Sequence, residues 1–267
     1  MTLEGDELQR LNAKIESVSE ATSLLSFPIV GFLAYRFGIG LMILDALFLL
    51  MGALALLPYL GVEVTRKESP QEEPTSMIIG RKLIVGFIAT LLLFNFAIAS
   101  SRIFVFSSLK SASFGELLYG SLQSVRNIGG LLAAISLAIF IARKDLRKAI
   151  FVGMAFESLA VLLLGLPSVY LLFAGMLLLG IGGQALNISM SSLFQKVIPM
   201  ESLGTFRGVF DALATLIIPL SQLTFALLIE HGFSVSLLAL GAFWLGIGSG
   251  VLMLRMLQDV STSTTQT

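Results

Sequence analysis

LIVGFIATLLLFNFAIASSRIFVF, residues 83 to 106, carries a single charge, Arg102, near its far end. A helix of about 20 mostly apolar residues crosses roughly 30 Å of hydrocarbon, so this stretch reads as a transmembrane helix. It lacks the apolar–polar alternation of a membrane barrel strand. An arginine at the bilayer centre costs about 2.5–3.5 kcal/mol on insertion scales, so Arg102 needs compensation. Either it snorkels to the nearer interface or it meets a partner inside a helix bundle.

The same ruler finds further runs near 17–35, 39–60, 116–142, 149–166, 169–193, 206–229 and 233–254. The chain is 56% hydrophobic and 13% charged, with a mean hydropathy of +0.93, against roughly 25% charged residues in soluble domains. The expected fold class is all-α: a polytopic membrane protein of eight transmembrane helices, each satisfying its backbone hydrogen bonds internally. Zero net charge offers no bulk basic surface for nucleic acid. The absence of cysteine and the presence of one histidine, His231, exclude disulfides and thiolate chemistry and argue against a histidine-rich metal centre. No Gly-x-x-x-x-Gly-Lys loop is present to hold a nucleotide. The expectation is no enzyme activity, no catalytic residues, no cofactor and no metal.

Lysine and arginine collect on the cytoplasmic side of membrane proteins. With both termini cytoplasmic, thirteen of the 17 basic residues fall inside, Arg36 and Lys110 outside, and Arg102 and Arg126 within spans. A multi-pass protein of the plasma membrane is expected. The linker EVTRKESPQEEPTS (63–76), polar and with two prolines, separates two spans from six. The tail STSTTQT (261–267) has too little apolar surface to order itself.

A two-helix pattern recurs. DELQRLNA (6–13), a helix with Pro28, then FGIG (37–40) parallels MESLGTFR (200–207), a helix with Pro219, then HGFS (231–234). Glu7 to Gly38 and Glu201 to Gly232 are both 31 residues apart. Such repeats are common in secondary transporters. IPMESLGTFRGVFDA (198–212) and LLSFPIVGFLAYRFG (24–38), the latter with Pro28 and Gly31 in a glycine–proline pattern, resemble the major facilitator superfamily, in particular its drug and siderophore exporter-like branch. Phe27 and Phe32 stand where that pattern has glycines. ARKDLRKA (142–149) is similar to the family's basic loop between paired helices, with Asp145 in a glycine's place.

The resemblance implies a fold of twelve helices in two halves, with these eight spans as the fifth to twelfth and the first four outside this sequence. Residues 1–62 would be the last two helices of the N-terminal half, 63–80 a cytoplasmic linker, 81–258 the six-helix C-terminal half and 259–267 a disordered tail. The implied function is secondary active export of a small organic compound, a drug or metabolite, with protons as the candidate coupling ion of an antiport. The lipid bilayer and a separately encoded N-terminal half are the implied partners. The alternative is an inactive truncated remnant, or one piece of a split transporter with a structural role.

Helical residues three, four or seven apart share a face. Asn95 and Arg102 do so on the third span, and Glu116, Tyr119, Gln123 and Arg126 or Asn127 on the fourth. The sixth carries Gln184, Asn187 and Ser191, and the seventh Asp211, Thr215 and Gln222. Four such stripes predict a shared wet interior; the alternative is interhelical hydrogen bonds of about 0.6 kcal/mol each. An intramembrane charge is a functional hypothesis by default, and Glu157 is either a proton carrier or the fixed partner of Arg126. The candidate substrate-binding or coupling set is Asn95, Arg102, Glu116, Gln123, Arg126, Glu157, Gln184 and Asn187. Arg102 and Glu116 are expected to face each other or to bracket an anionic substrate group, because the planar guanidinium fork suits a carboxylate. GMLLLGIGGQ (175–184) and GAFWLGIGSG (241–250) space glycines for close helix contact.

Overall fold

A computed structural model describes residues 81–110, 115–137, 146–198 and 200–264, with isolated positions between 14 and 51. The expected spans at 17–35 and 39–60 and the 63–80 linker thus lie largely outside the described residues. Those described are all-helical. The segments are α1 (Arg81–Ala99), α2 (Ser101–Leu109), α3 (Gly115–Ser136), α4 (Leu146–Leu164), α5 (Val169–Val197), α6 (Met200–Glu230) and α7 (Val235–Thr264). Only Ser100 separates α1 from α2, and its backbone is itself helical, at φ −60° and ψ −25°. The two therefore make one apolar length.

Four lengths, Val85–Leu109, Val169–Gln195, Ser202–Glu230 and Val235–Gln258, are long and apolar enough to cross a membrane. That is fewer than the eight expected. Of the others, two fall outside the described residues. The remaining two are the helices α3 and α4, where charge and polarity dilute the apolar character: Glu116, Gln123, Arg126 and Asn127 on α3, and Arg147, Lys148 and Glu157 on α4. At 19 residues, α4 still extends about 28 Å.

The turns follow from local chemistry. Pro167 disfavours helical backbone at Leu166, and Ser168 is extended, at φ −149° and ψ 125°, before α5 begins. Ile198, extended ahead of Pro199, ends α5 in the same way. Between α6 and α7, Gly232 takes φ +91°. Its N–H donates to the Ile229 carbonyl at 3.0 Å, and that of Phe233 to Leu228 at 3.1 Å. This paired closure of a helix C-terminus requires left-handed backbone, which favours glycine.

In space the helices run in the order α3, α5, α4, α7, α1, α6, each packed on the next. The arc nearly closes, because α6 touches α5 lightly and α2 touches α3 lightly. Its core holds Phe104, Leu122, Leu164 and Met176 in one cluster and Phe94, Met154, Met190 and Met253 in another. Backbones come closest where glycines meet. A Cβ at Gly180 of α5 would collide with the Arg126 carbonyl oxygen on α3, and one at Gly182 would lie 2.7 Å from the Gly153 oxygen on α4. Among the polar ties between described helices, the Ser221 hydroxyl donates to the Phe96 carbonyl at 2.5 Å, joining α6 to α1, and that of Ser236 to Gly165 at 2.8 Å.

Candidate functional site

Two cavity lobes lie inside the arc, of about 190 Å³ and 340 Å³. The smaller is lined by Arg102, Tyr119, Gln123 and Met176, toward the ends where α2 stops and α3 and α5 begin. The larger is lined by Gln184, Asn187, Met190 and Phe210, toward the opposite end. Asn95, Arg126, Glu157 and Leu179 line both. These four form a waist at which three polar side chains, one each from α1, α3 and α4, converge beside a leucine of α5.

Glu157 reaches the waist by an unusual route. It is buried on α4, the helix that packs on α5 rather than on α3. Two consecutive glycines on α5 leave the room it needs. A Cβ at Gly182 would lie 2.9 Å from the Glu157 Cγ, and one at Gly183 would lie 2.9 Å from its Oε1. The carboxylate therefore passes through a notch in α5 that any side chain at 183 would fill. A contact ion pair joins Arg207 and Asp211, at 3.7 Å on the exposed side of α6. Arg126 and Glu157 share the cavity without one.

Of the candidate residues, Asn95, Arg102, Gln123, Arg126 and Glu157 come together in the smaller lobe. Gln184 and Asn187 join Asn95, Arg126 and Glu157 in the larger. The side chain of Glu116 lies outside the described residues, and so does its expected meeting with Arg102. Arg102 itself is exposed. From that exposure we expect Arg102→Ala to change stability by less than about 0.5 kcal/mol, the range of surface substitutions; thermal unfolding in detergent checks this.

One stripe is placed differently from expectation. Asp211 and Thr215 point away from the lobes and are exposed, while α6 presents Phe210 and Ala214 to the larger lobe and Ile218 to the smaller. These recur at intervals of four and so share a face. The fourth-span alternative resolves as well: Arg126 lines the cavity, whereas Asn127 is buried away from it, its Nδ2 without a partner among the described residues.

Aromatic side chains stand at both ends. Beside the smaller lobe, Phe106 of α2 stacks on Tyr119 of α3, centroids 5.1 Å apart and planes at 17°. Beside the larger, Phe194 of α5 meets Phe206 and Phe210 of α6 edge-on, at 5.2 Å and 5.3 Å, and Phe87 of α1 at 6.0 Å. The two loosest junctions of the arc, α2 with α3 and α5 with α6, are thus each bridged by rings. The aromatic cluster of Phe87, Phe194, Phe206 and Phe210 and the glycine notch are not legible in the sequence, because both depend on which helices become neighbours. The consecutive pair Gly182–Gly183 opposite a buried carboxylate is the signal that was present.

Compared with models of protein families, with curated proteins and with solved structures, the chain matches none.

Proposed function

We propose that this chain is a secondary membrane transporter of the major facilitator type that carries a small organic compound, with protons as the coupling ion. The observation that carries this reading is the charged waist shared by two cavity lobes that extend toward opposite ends of the bundle. A carrier that alternates its access needs one site reachable from either side, and transporters typically place it between packed bundles near mid-depth. The aromatic bridges stand where such access would open and close. Both termini cytoplasmic, a plasma-membrane location and export as the direction belong to the same proposal and rest on the basic-residue asymmetry and the sequence resemblance.

A specific observation also favours the reading as one part of a larger pathway. Among the four long apolar helices α6 is the least buried, and its exposed face carries the Arg207–Asp211 pair. A helix so little covered by its neighbours leaves a face that a further helix bundle would suit.

The test is flux in vesicles reconstituted with the purified chain and loaded with a pH-sensitive dye. Weak, compound-dependent proton movement is expected from the chain alone, with a several-fold increase when the four expected helices are supplied as a second polypeptide. Proton movement that is identical with and without added organic compounds, in both preparations, would sink the transport reading.

A further inference from the structure

Among the described residues, the charged side chains lining the two lobes are Arg102, Arg126 and Glu157. Two guanidiniums against one acid group leave at least one positive charge unbalanced inside the bundle, where charge is expensive unless paired. Arg102 is exposed, so solvent or lipid headgroups can serve it. Arg126 is only partly exposed and stands at the waist, flanked in the cavity by the amides of Asn95 and Gln123. Amide N–H donors and a guanidinium together form an acceptor's site, and a planar acid group fits the guanidinium fork with two parallel hydrogen bonds. The lobe volumes lie at or below the small end of ligand cavities, roughly 300–1,000 Å³, which favours a ligand of about one ring over a drug-sized one.

We propose that the cavity binds a small organic anion, its acid group seated on Arg126, and that binding draws one proton from solvent onto Glu157. This rests on the transport role proposed above and names its substrate class. An ionised Glu157 and the anion would stand in one cavity beside the same guanidinium, and two negative charges at one site cannot both persist cheaply. Protonation removes the conflict. The titratable and charged groups that share the cavity with Glu157 are Arg126 and Tyr119 from α3 and Arg102 from α2. The linings contributed by α1, α5 and α6 are neutral, and α7 lines neither lobe.

Coupling of this kind is reciprocal: the proton strengthens anion binding by the factor by which the anion strengthens proton binding. Anion and proton then travel together as a neutral pair, in place of both the exchange and the proton-driven export that the sequence resemblance implies.

Calorimetric titration of the purified full chain in detergent tests this with benzoate, benzamide and benzamidinium, which share a shape and differ in charge. Acetate and 2-naphthoate bracket the size. At least one acid is expected to bind, with benzamide and benzamidinium at least about tenfold weaker. Its affinity should rise by up to about tenfold per pH unit toward acid, the limit for one linked proton. Titrations in buffers of different ionisation heat, repeated over a pH series, should report an uptake that rises toward one proton per anion as the pH enters the range where Glu157 of the free chain is ionised. Glu157→Gln should keep binding and lose both the uptake and the pH dependence. Arg126→Gln should lose binding, and Arg126→Lys, which keeps the charge, should retain a weakened form and carries the test if the glutamine variant fails to fold.

Preference for benzamidinium, binding of an acid without proton uptake, or no acid bound by a chain with an intact melting transition would each overturn the proposal. An acid bound with proton uptake but moved by no vesicle would leave this inference standing and remove the transport role. Vesicles that carry another compound while no acid binds would do the reverse.

Discussion

Gly180→Val is expected to abolish the folded bundle. A Cβ at Gly180 would overlap the Arg126 carbonyl oxygen and come within 2.9 Å of the Gly130 nitrogen. Both are backbone atoms of α3, so no side chain can rotate aside. The reverse contact is equally tight, because a Cβ at Gly129 would collide with the Leu177 carbonyl oxygen and lie 3.1 Å from the Ile181 nitrogen. Relief requires α3 and α5 to separate along the whole crossing. Overpacking costs about 1–3 kcal/mol where side chains can adjust, and a backbone clash exceeds that range. The same crossing carries Arg126, so a surviving fraction would have a displaced waist. Size-exclusion profiles in mild detergent should show loss of the monodisperse species. Gly208→Ala is the control: nothing lies within 4 Å of a Cβ there, and alanine favours helix over glycine by about 1 kcal/mol, so that variant should be neutral or slightly more stable.

The second large effect is expected at Phe194, where truncation to alanine should cost about 3–5 kcal/mol, the range for a buried aromatic. The ring is 7% exposed and contacts rings on two other helices: Phe87 on α1, and Phe206 and Phe210 on α6. Edge-on aromatic pairs contribute about 0.5–1.5 kcal/mol each beyond burial. Since α5 and α6 otherwise meet only lightly, the loss falls on one junction. Amide exchange in the first half of α6 should accelerate far more than in α4, whose packing on α5 is extensive. Phe233→Ala, at an exposed position in the α6–α7 turn, should change the melting temperature little. Equal losses at the two positions, or uniform acceleration across all helices, would contradict the junction role.

How much was legible depended on whether a feature sits on one helix or on several. Asn95 and Arg102, Gln123 and Arg126, and Gln184 and Asn187 lie three or seven apart, which settles a common face before any packing is known. Those pairs do line the cavity. The orientation of α6 was illegible for a different reason: lipid tails are as apolar as a protein interior, so hydropathy does not tell an inward Phe210 from an outward Leu216. The polar stripe of Asp211 and Thr215 suggested an inward face, and the structure turns it outward. Glu157 was legible as a candidate beside Arg126, but the route by which it reaches the waist was not. Its entry depends on Gly182 and Gly183 of α5, and no periodicity on α4 reports what a neighbour lacks.

The insertion of α1 between α6 and α7 has a consequence for assembly in time. Thr90 of α1 contacts the Met256 sulfur, 166 positions away in the chain. During synthesis at about 5–20 residues per second, α1, part of a length apolar enough to cross a membrane, therefore waits on the order of ten seconds or more before its two flanking helices exist. Meanwhile α3, α4 and α5, which are close in the chain and packed on one another, can join. The expected order is a three-helix kernel first and closure around α1 last. A nascent chain stalled before residue 235 should accordingly present Asn95 to whichever insertion factor shelters unpaired polar groups in lipid.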